Sequence, residues 1–114
     1  MKWTISFYNL KLMLALKNWP SELQAKFIHI VELVEQHGPQ DIGMPLIKSI
    51  GNGIFEIRVK SKDNIGRAIF CMVKHKEIII LHGFIKKTQK IPLKDLKIAK
   101  MRLKKIQNEK KSNF

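Results

Sequence analysis

Between residues 54 and 60 the chain reads IFEIRVK, with Phe55, Ile57 and Val59 interleaved with Glu56, Arg58 and Lys60. Side chains two apart on a strand share a face, so the spacing predicts a half-buried strand with one apolar and one charged side. Two further strands follow, each after a turn-forming stretch: RAIFCMV (67–73) after SKDNIG, and IIILHGF (78–84) after KHKE. The last begins as an unbroken apolar run, the pattern of a central strand buried on both faces. At the N-terminus KWTISFY (2–8) places Trp3, Ile5 and Phe7 at alternate positions among β-formers and predicts one more strand.

The remaining apolar residues follow a helical period. LKLMLALKNW lacks clean alternation and predicts a short helix ending near Asn18. In WPSELQAKFIHIVELVEQHG, Leu23, Phe27, Ile30, Val31 and Val34 recur every three or four positions and make one buried stripe. Pro20 suits the first turn, Ser21 and Gln24 have capping-box spacing, and Gly38–Pro39 is a stop. Residues 38–53, with two prolines and four glycines, read as a loop. After Pro92, Leu93, Leu96, Ala99, Leu103 and Ile106 mark a terminal helix with a narrow apolar stripe, and residues 108–114 read as a frayed tail. The order is β-α-α-β-β-β-α. It predicts a single α+β domain over 1–114: an N-terminal strand, a helical hairpin, a mainly antiparallel sheet of about four strands and a C-terminal helix.

Charge changes this otherwise ordinary picture. The 114 residues carry 22 Lys+Arg against 9 Asp+Glu, a formal net charge of +13. That imbalance favours a polyanionic partner, nucleic acid or ribosome before an anionic membrane. The single cysteine, Cys71, excludes an internal disulfide and a multi-cysteine metal site, and its place in a strand makes it a small buried hydrophobe. The N-terminus has no secretion pattern and no apolar run reaches the ~18 residues of a membrane span, so a cytoplasmic location is expected.

The pleat supplies the candidate chemistry. Arg58 and Lys60 share a face, a short turn returns Arg67 beside one of them, and His82, Lys86 and Lys87 leave the end of the next strand. Such a surface suits phosphate, because arginine grips with a planar fork and lysine acts as a mobile point charge. The bland reading stands beside it: charge alternating along a strand is ordinarily a solvated face. By the same reasoning His29, His37 and His75 are structural or incidental, and Phe55, Phe70 and Phe84 belong to the core rather than to a base-stacking platform. No glycine-rich phosphate loop, metal-ligand spacing, Ser-His-Asp set or carboxylate cluster is recognisable, so chemistry on phosphate is expected to need neither metal nor cofactor.

The stretches GNGIFEIRVK, GRAIFCMV and IIILHGFIKKTQKIPLKDLKIAKMRL, in that order, resemble the RelE/HigB superfamily of toxin–antitoxin toxins, in its phage-derived HigB-like branch. The likeness runs from Gly38 to Leu103. It implies a RelE-like fold and the toxin of a type II toxin–antitoxin system: a metal-free, ribosome-dependent mRNA endonuclease, silenced by a cognate, HigA-like helix-turn-helix antitoxin. Carried over by position, it implies catalytic roles for Arg58, Lys60, Arg67, His82 and Lys86. RNA or ribosome contacts fall to Lys87, Thr88, Lys90, Lys94, Lys97, Lys100 and Lys104. One departure stands out. Some relatives place a tyrosine near the C-terminus, whereas the sole tyrosine here is Tyr8. The alternative is a non-catalytic toxin of the same fold, such as a gyrase inhibitor, or a basic RNA-binding protein.

Overall fold

The computed structural model describes residues 2–86 and 90–112, with side chains as far as 109. The chain forms β1 (Thr4–Phe7), α1 (Leu10–Lys17), α2 (Ser21–His37), α3 (Pro39–Ile42), β2 (Ile47–Gly51), β3 (Ile54–Lys60), β4 (Ile65–Lys74), β5 (Glu77–Lys86) and α4 (Leu93–Ser112). The strands make one sheet in the order β1-β5-β4-β3-β2. Strands β2 to β5 form an antiparallel meander, and β1 closes the far edge parallel to β5. The α+β architecture is the expected one, but the sheet has five strands and is mixed.

The additional strand, β2, lies inside the stretch that reads as a loop. It is an edge strand that buries only Ile47 fully, so it carries little hydrophobic signal, and prolines and glycines flank it. The short α3 begins at Pro39, which suits the first turn of a helix. Helix α4 runs on to Ser112, through a stretch with neither glycine nor proline to stop it.

Helix ends show where local signals hold. Asn9 caps α1, its side-chain oxygen accepting from the Leu12 N–H at 2.8 Å, and Asn18 ends the helix. The capping box at Ser21 does not form. Pro20 is the N-cap residue, and the Gln24 side chain instead donates to the Lys17 carbonyl at 2.9 Å, tying α2 to α1.

The sheet separates two cores. On one face Leu12 and Leu16 of α1 and Leu23, Phe27, Ile30 and Val34 of α2 pack on Ile57, Val59, Phe70, Ile78 and Ile80. The other face holds Ile54, Ile69, Cys71 and Leu81 beneath Leu96, Ala99, Leu103 and Ile106 of α4. Leu93, assigned to that stripe by its period, is 73% exposed, because it opens the helix before the stripe meets the sheet. Two glycines let the helices approach. A Cβ on Gly66 would stand 2.8 Å from Val59 Cγ2 and 2.9 Å from Trp19 Cζ3. One on Gly83 would stand 2.6 Å from Leu16 Cδ2.

Candidate functional site

Helix α4 covers only part of its face of the sheet, and the charged ends of β3, β4 and β5 lie beyond it. Register fixes which side chains meet there. Arg58 on β3 stands directly opposite Arg67 on β4, and Lys60 shares a cross-strand row with Ile65 and Lys86. The expected convergence of Arg58, Arg67 and Lys86 is therefore what the strand pairing produces.

Two arginines directly across a strand pair repel each other unless a counter-charge stands between them. Glu56, two residues before Arg58 and on the same face, is that charge. Its Oε1 lies 3.4 Å from Arg58 Nε and its Oε2 lies 3.7 Å from Arg67 Nε. The Glu56 and Arg67 side chains are 4% and 5% exposed, and that of Arg58 is 23% exposed. These are ion pairs without hydrogen-bond geometry: Glu56 Oε2 and both arginine Nε atoms are buried with no hydrogen-bond partner. Arg67 also donates from Nη1 to the Gly66 carbonyl at 3.1 Å, which fixes the plane of its fork.

The cations are crowded enough to perturb one another. Burial pushes the Arg67 guanidinium below its ordinary pKa; Glu56 opposes that shift and Arg58 adds to it. Lys86, 6% exposed, is likewise lowered by burial, then by Arg67, with Glu56 opposing and Arg58 and Lys48 contributing further repulsion. Lys48 is a member that sequence reasoning missed. It lies on β2 opposite Glu56 and so joins the same face, and the pattern of an edge strand left nothing to reveal it.

His82 takes a different position. Its Nε2 lies 2.7 Å from Asp95 Oδ1 in the first turn of α4, and its ring stacks on Phe84 with centroids 5.7 Å apart. It thus links β5 to the start of α4 rather than joining the arginine cluster. Tyr8 lies under α4, with the Arg102 guanidinium 4.9 Å from its ring centroid. Lys90, Lys94, Lys97, Lys100 and Lys104 are exposed along the approach to α4 and on its outer faces. Lys87 and Thr88 lie outside the described residues. Among the described residues no three of His, Cys, Asp and Glu gather as metal ligands, and no helix is long and apolar enough to cross a membrane.

Beside the arginine pair a groove of about 520 Å³ opens at the edge of β3. The β2–β3 register ends at Ile47–Ile57, and the Leu46 carbonyl accepts from the Arg58 N–H at 2.8 Å. Past that point α2 rather than a strand borders β3, and Lys26 of α2 donates to the Lys60 carbonyl.

Two solved structures share this architecture. A mutant of the Escherichia coli toxin RelE in the free state, with two arginines changed to alanine, aligns with a TM-score of 0.55 at 12% identity, over 73% of this chain and 82% of that one. The archaeal RelE–RelB complex from Pyrococcus horikoshii OT3 aligns with a TM-score of 0.51 at 18% identity, over 80% of this chain and 100% of that one. The fold is RelE-like, as the motifs from Gly38 to Leu103 imply. Residues 15–104 match the model of the family described as phage derived protein Gp49-like (DUF891), and the chain belongs to that family. No curated protein matches the sequence.

Proposed function

We propose that this chain is the toxin of a type II toxin–antitoxin pair, of the HigB-like branch, and that it cleaves mRNA on the ribosome without a metal ion. The observation that carries the reading is the Arg58–Glu56–Arg67 arrangement, in which Glu56 and Arg67 are buried and Arg58 is partly exposed, with Lys86 beside it. It is a compact cationic site of a kind that stabilises charge developing on a phosphate. In the proposed step the neutral amine of Lys86 takes the proton of the ribose 2′-hydroxyl. The 2′-oxygen forms a bond to the adjacent phosphorus, and the bond to the 5′-oxygen breaks, leaving a 2′,3′-cyclic phosphate. Arg58 and Arg67 hold the phosphorane oxygens. The departing 5′-oxygen is protonated by a lysinium of the cluster, for which Lys60, in the cross-strand row of Lys86, is the candidate.

The lowered pKa of Lys86 favours this division of labour, since a lysine is a base only in its neutral form. Lys87, Thr88, Lys90 and the exposed lysines of α4 supply contacts to mRNA and ribosomal RNA. His82 positions the end of β5 through Asp95. The proposed partner is a HigA-like antitoxin that covers the Arg58/Arg67/Lys86 face, and the proposed location is cytoplasmic.

The test is primer extension on a reporter mRNA in a reconstituted translation reaction, with and without the purified protein. New ends within codons, dependent on ribosomes and lost in Arg67→Ala while the fold persists, are expected. Intact transcripts from the folded, antitoxin-free protein would refute nuclease activity and make gyrase the next target.

A further inference from the structure

The groove at the β3 edge shares Arg58 and Arg67 with the proposed phosphate site, yet most of its wall is apolar and plays no part in holding phosphate. Ile30 and Val59 belong to the helix-side core, and Pro45, Leu46 and Ile65 complete an apolar lining. The groove therefore runs round the open edge of the sheet, from the α2 side to the charged face. None of its lining residues is acidic, and Lys60 adds positive charge to that of the two arginines, while Lys26 is paired with Glu22 at 3.5 Å. His29, exposed on α2, offers a planar ring on the same wall.

We infer that this groove is a nucleobase subsite, holding the base of a nucleotide whose phosphate rests on Arg58 and Arg67. The inference deepens the nuclease reading and rests on it. A base is apolar on its faces and polar at its edges, and the backbone ties it to an anion, which is the combination the wall and the arginines present together. A volume of about 520 Å³ lies within the range of roughly 300–1,000 Å³ typical of small-ligand sites. Apolar and ring contacts of this kind accept any base, so the subsite contributes affinity and register before it contributes sequence preference. A protein segment is the other class of occupant. It is less favoured because the groove and the phosphate site share two side chains, which calls for a ligand with anion and apolar plate joined in one unit.

The experiment compares inorganic phosphate with a 2′-O-methyl dinucleoside monophosphate, which lacks the attacking hydroxyl and cannot be cleaved by this route. Both are titrated at low salt into the full chain and followed by amide chemical shifts. Wild type, His29→Ala, Leu46→Ser and Arg67→Ala are compared; His29 and Leu46 are exposed, so their replacement leaves the fold intact. The dinucleotide is expected to bind about tenfold more tightly than phosphate, the order that one base contact supplies. His29→Ala and Leu46→Ser should each erode that advantage while leaving phosphate binding unchanged, and Arg67→Ala should weaken both ligands. Equal affinity for the two ligands in the wild type, or an advantage untouched by both groove variants, overturns the subsite, as would be seen if only a protein partner used the groove. That result leaves the nuclease reading standing. Phosphate binding that ignores Arg67→Ala removes the ground for both.

Discussion

Replacing Glu56 by glutamine keeps the shape of the side chain and removes the one negative charge between Arg58 and Arg67. At 3.4 and 3.7 Å, and with an effective dielectric of about 20, each pair is attracted by roughly 4–5 kcal/mol before desolvation is counted. Most of that is offset by the desolvation already borne by the buried groups, and the Arg58 share is discounted further because that side chain is partly solvated. Breaking a buried pair by removing one partner costs about 3–5 kcal/mol, since the remaining charge stays in place without compensation. Here the loss also leaves two arginines directly opposed across a strand pair. We expect Glu56→Gln to destabilise the protein by about 3 kcal/mol. Urea unfolding followed by tryptophan fluorescence would show it as a midpoint about 2 M lower, at a slope of roughly 1.5 kcal/mol/M. The double variant Glu56→Gln with Arg67→Met should recover most of the loss, because it removes the stranded charge as well. A cost below about 1 kcal/mol for Glu56→Gln alone would refute the account, since the arginines would then be solvated rather than held by the carboxylate.

Lys86 makes folding depend on pH with a definite sign. Its folded pKa lies below the ordinary lysine value, so between the two the unfolded chain binds more protons and stability rises with pH. Lys86→Met should therefore gain most over wild type near neutrality, and urea titrations at pH 7 and pH 10 should show that advantage shrinking. An advantage that grew with pH would contradict the buried-lysine assignment. Gly83→Ala should cost about 1–3 kcal/mol by thermal melting, because the new methyl meets Leu16 at 2.6 Å and α1 must shift; an unchanged melting point would show that α1 yields freely. Reversing charge at Lys97, Lys100 and Lys104 together should weaken ribosome binding more at low salt than at high salt, measured by co-sedimentation, and a salt-independent loss would point to damage other than lost charge.

Legibility in the sequence followed how completely an element buries one of its faces. Helix α2 and strands β3, β4 and β5 announce themselves because each commits a full stripe or face to a core. From the alternation in IFEIRVK and the length of the following turn, the return of Arg67 beside Arg58 or Lys60 could be argued from the sequence, and the register then selects Arg58. Strand β2 could not, because it buries one residue fully and borrows its regularity from β3; Lys48 was lost with it. The role of Glu56 was hidden for another reason. Pleat alone puts it on the charged face, and only burial turns it from a surface carboxylate into the counter-ion of two arginines. That His29 borders the groove could not be read from the sequence, since nothing in a period of 3.6 indicates that β3 loses its neighbouring strand beside that helix.

The parallel pairing of β1 with β5 has a consequence for when the protein becomes complete. Thr4 of β1 lies opposite Glu77 of β5, a partner that follows it only after three helices and three further strands. The meander β2–β5 can assemble hairpin by hairpin from neighbouring segments, but β1 must wait for β5, and Lys86 takes its place only when that strand has emerged. A nascent chain therefore exposes its basic strands one at a time and joins them into a single cationic surface late.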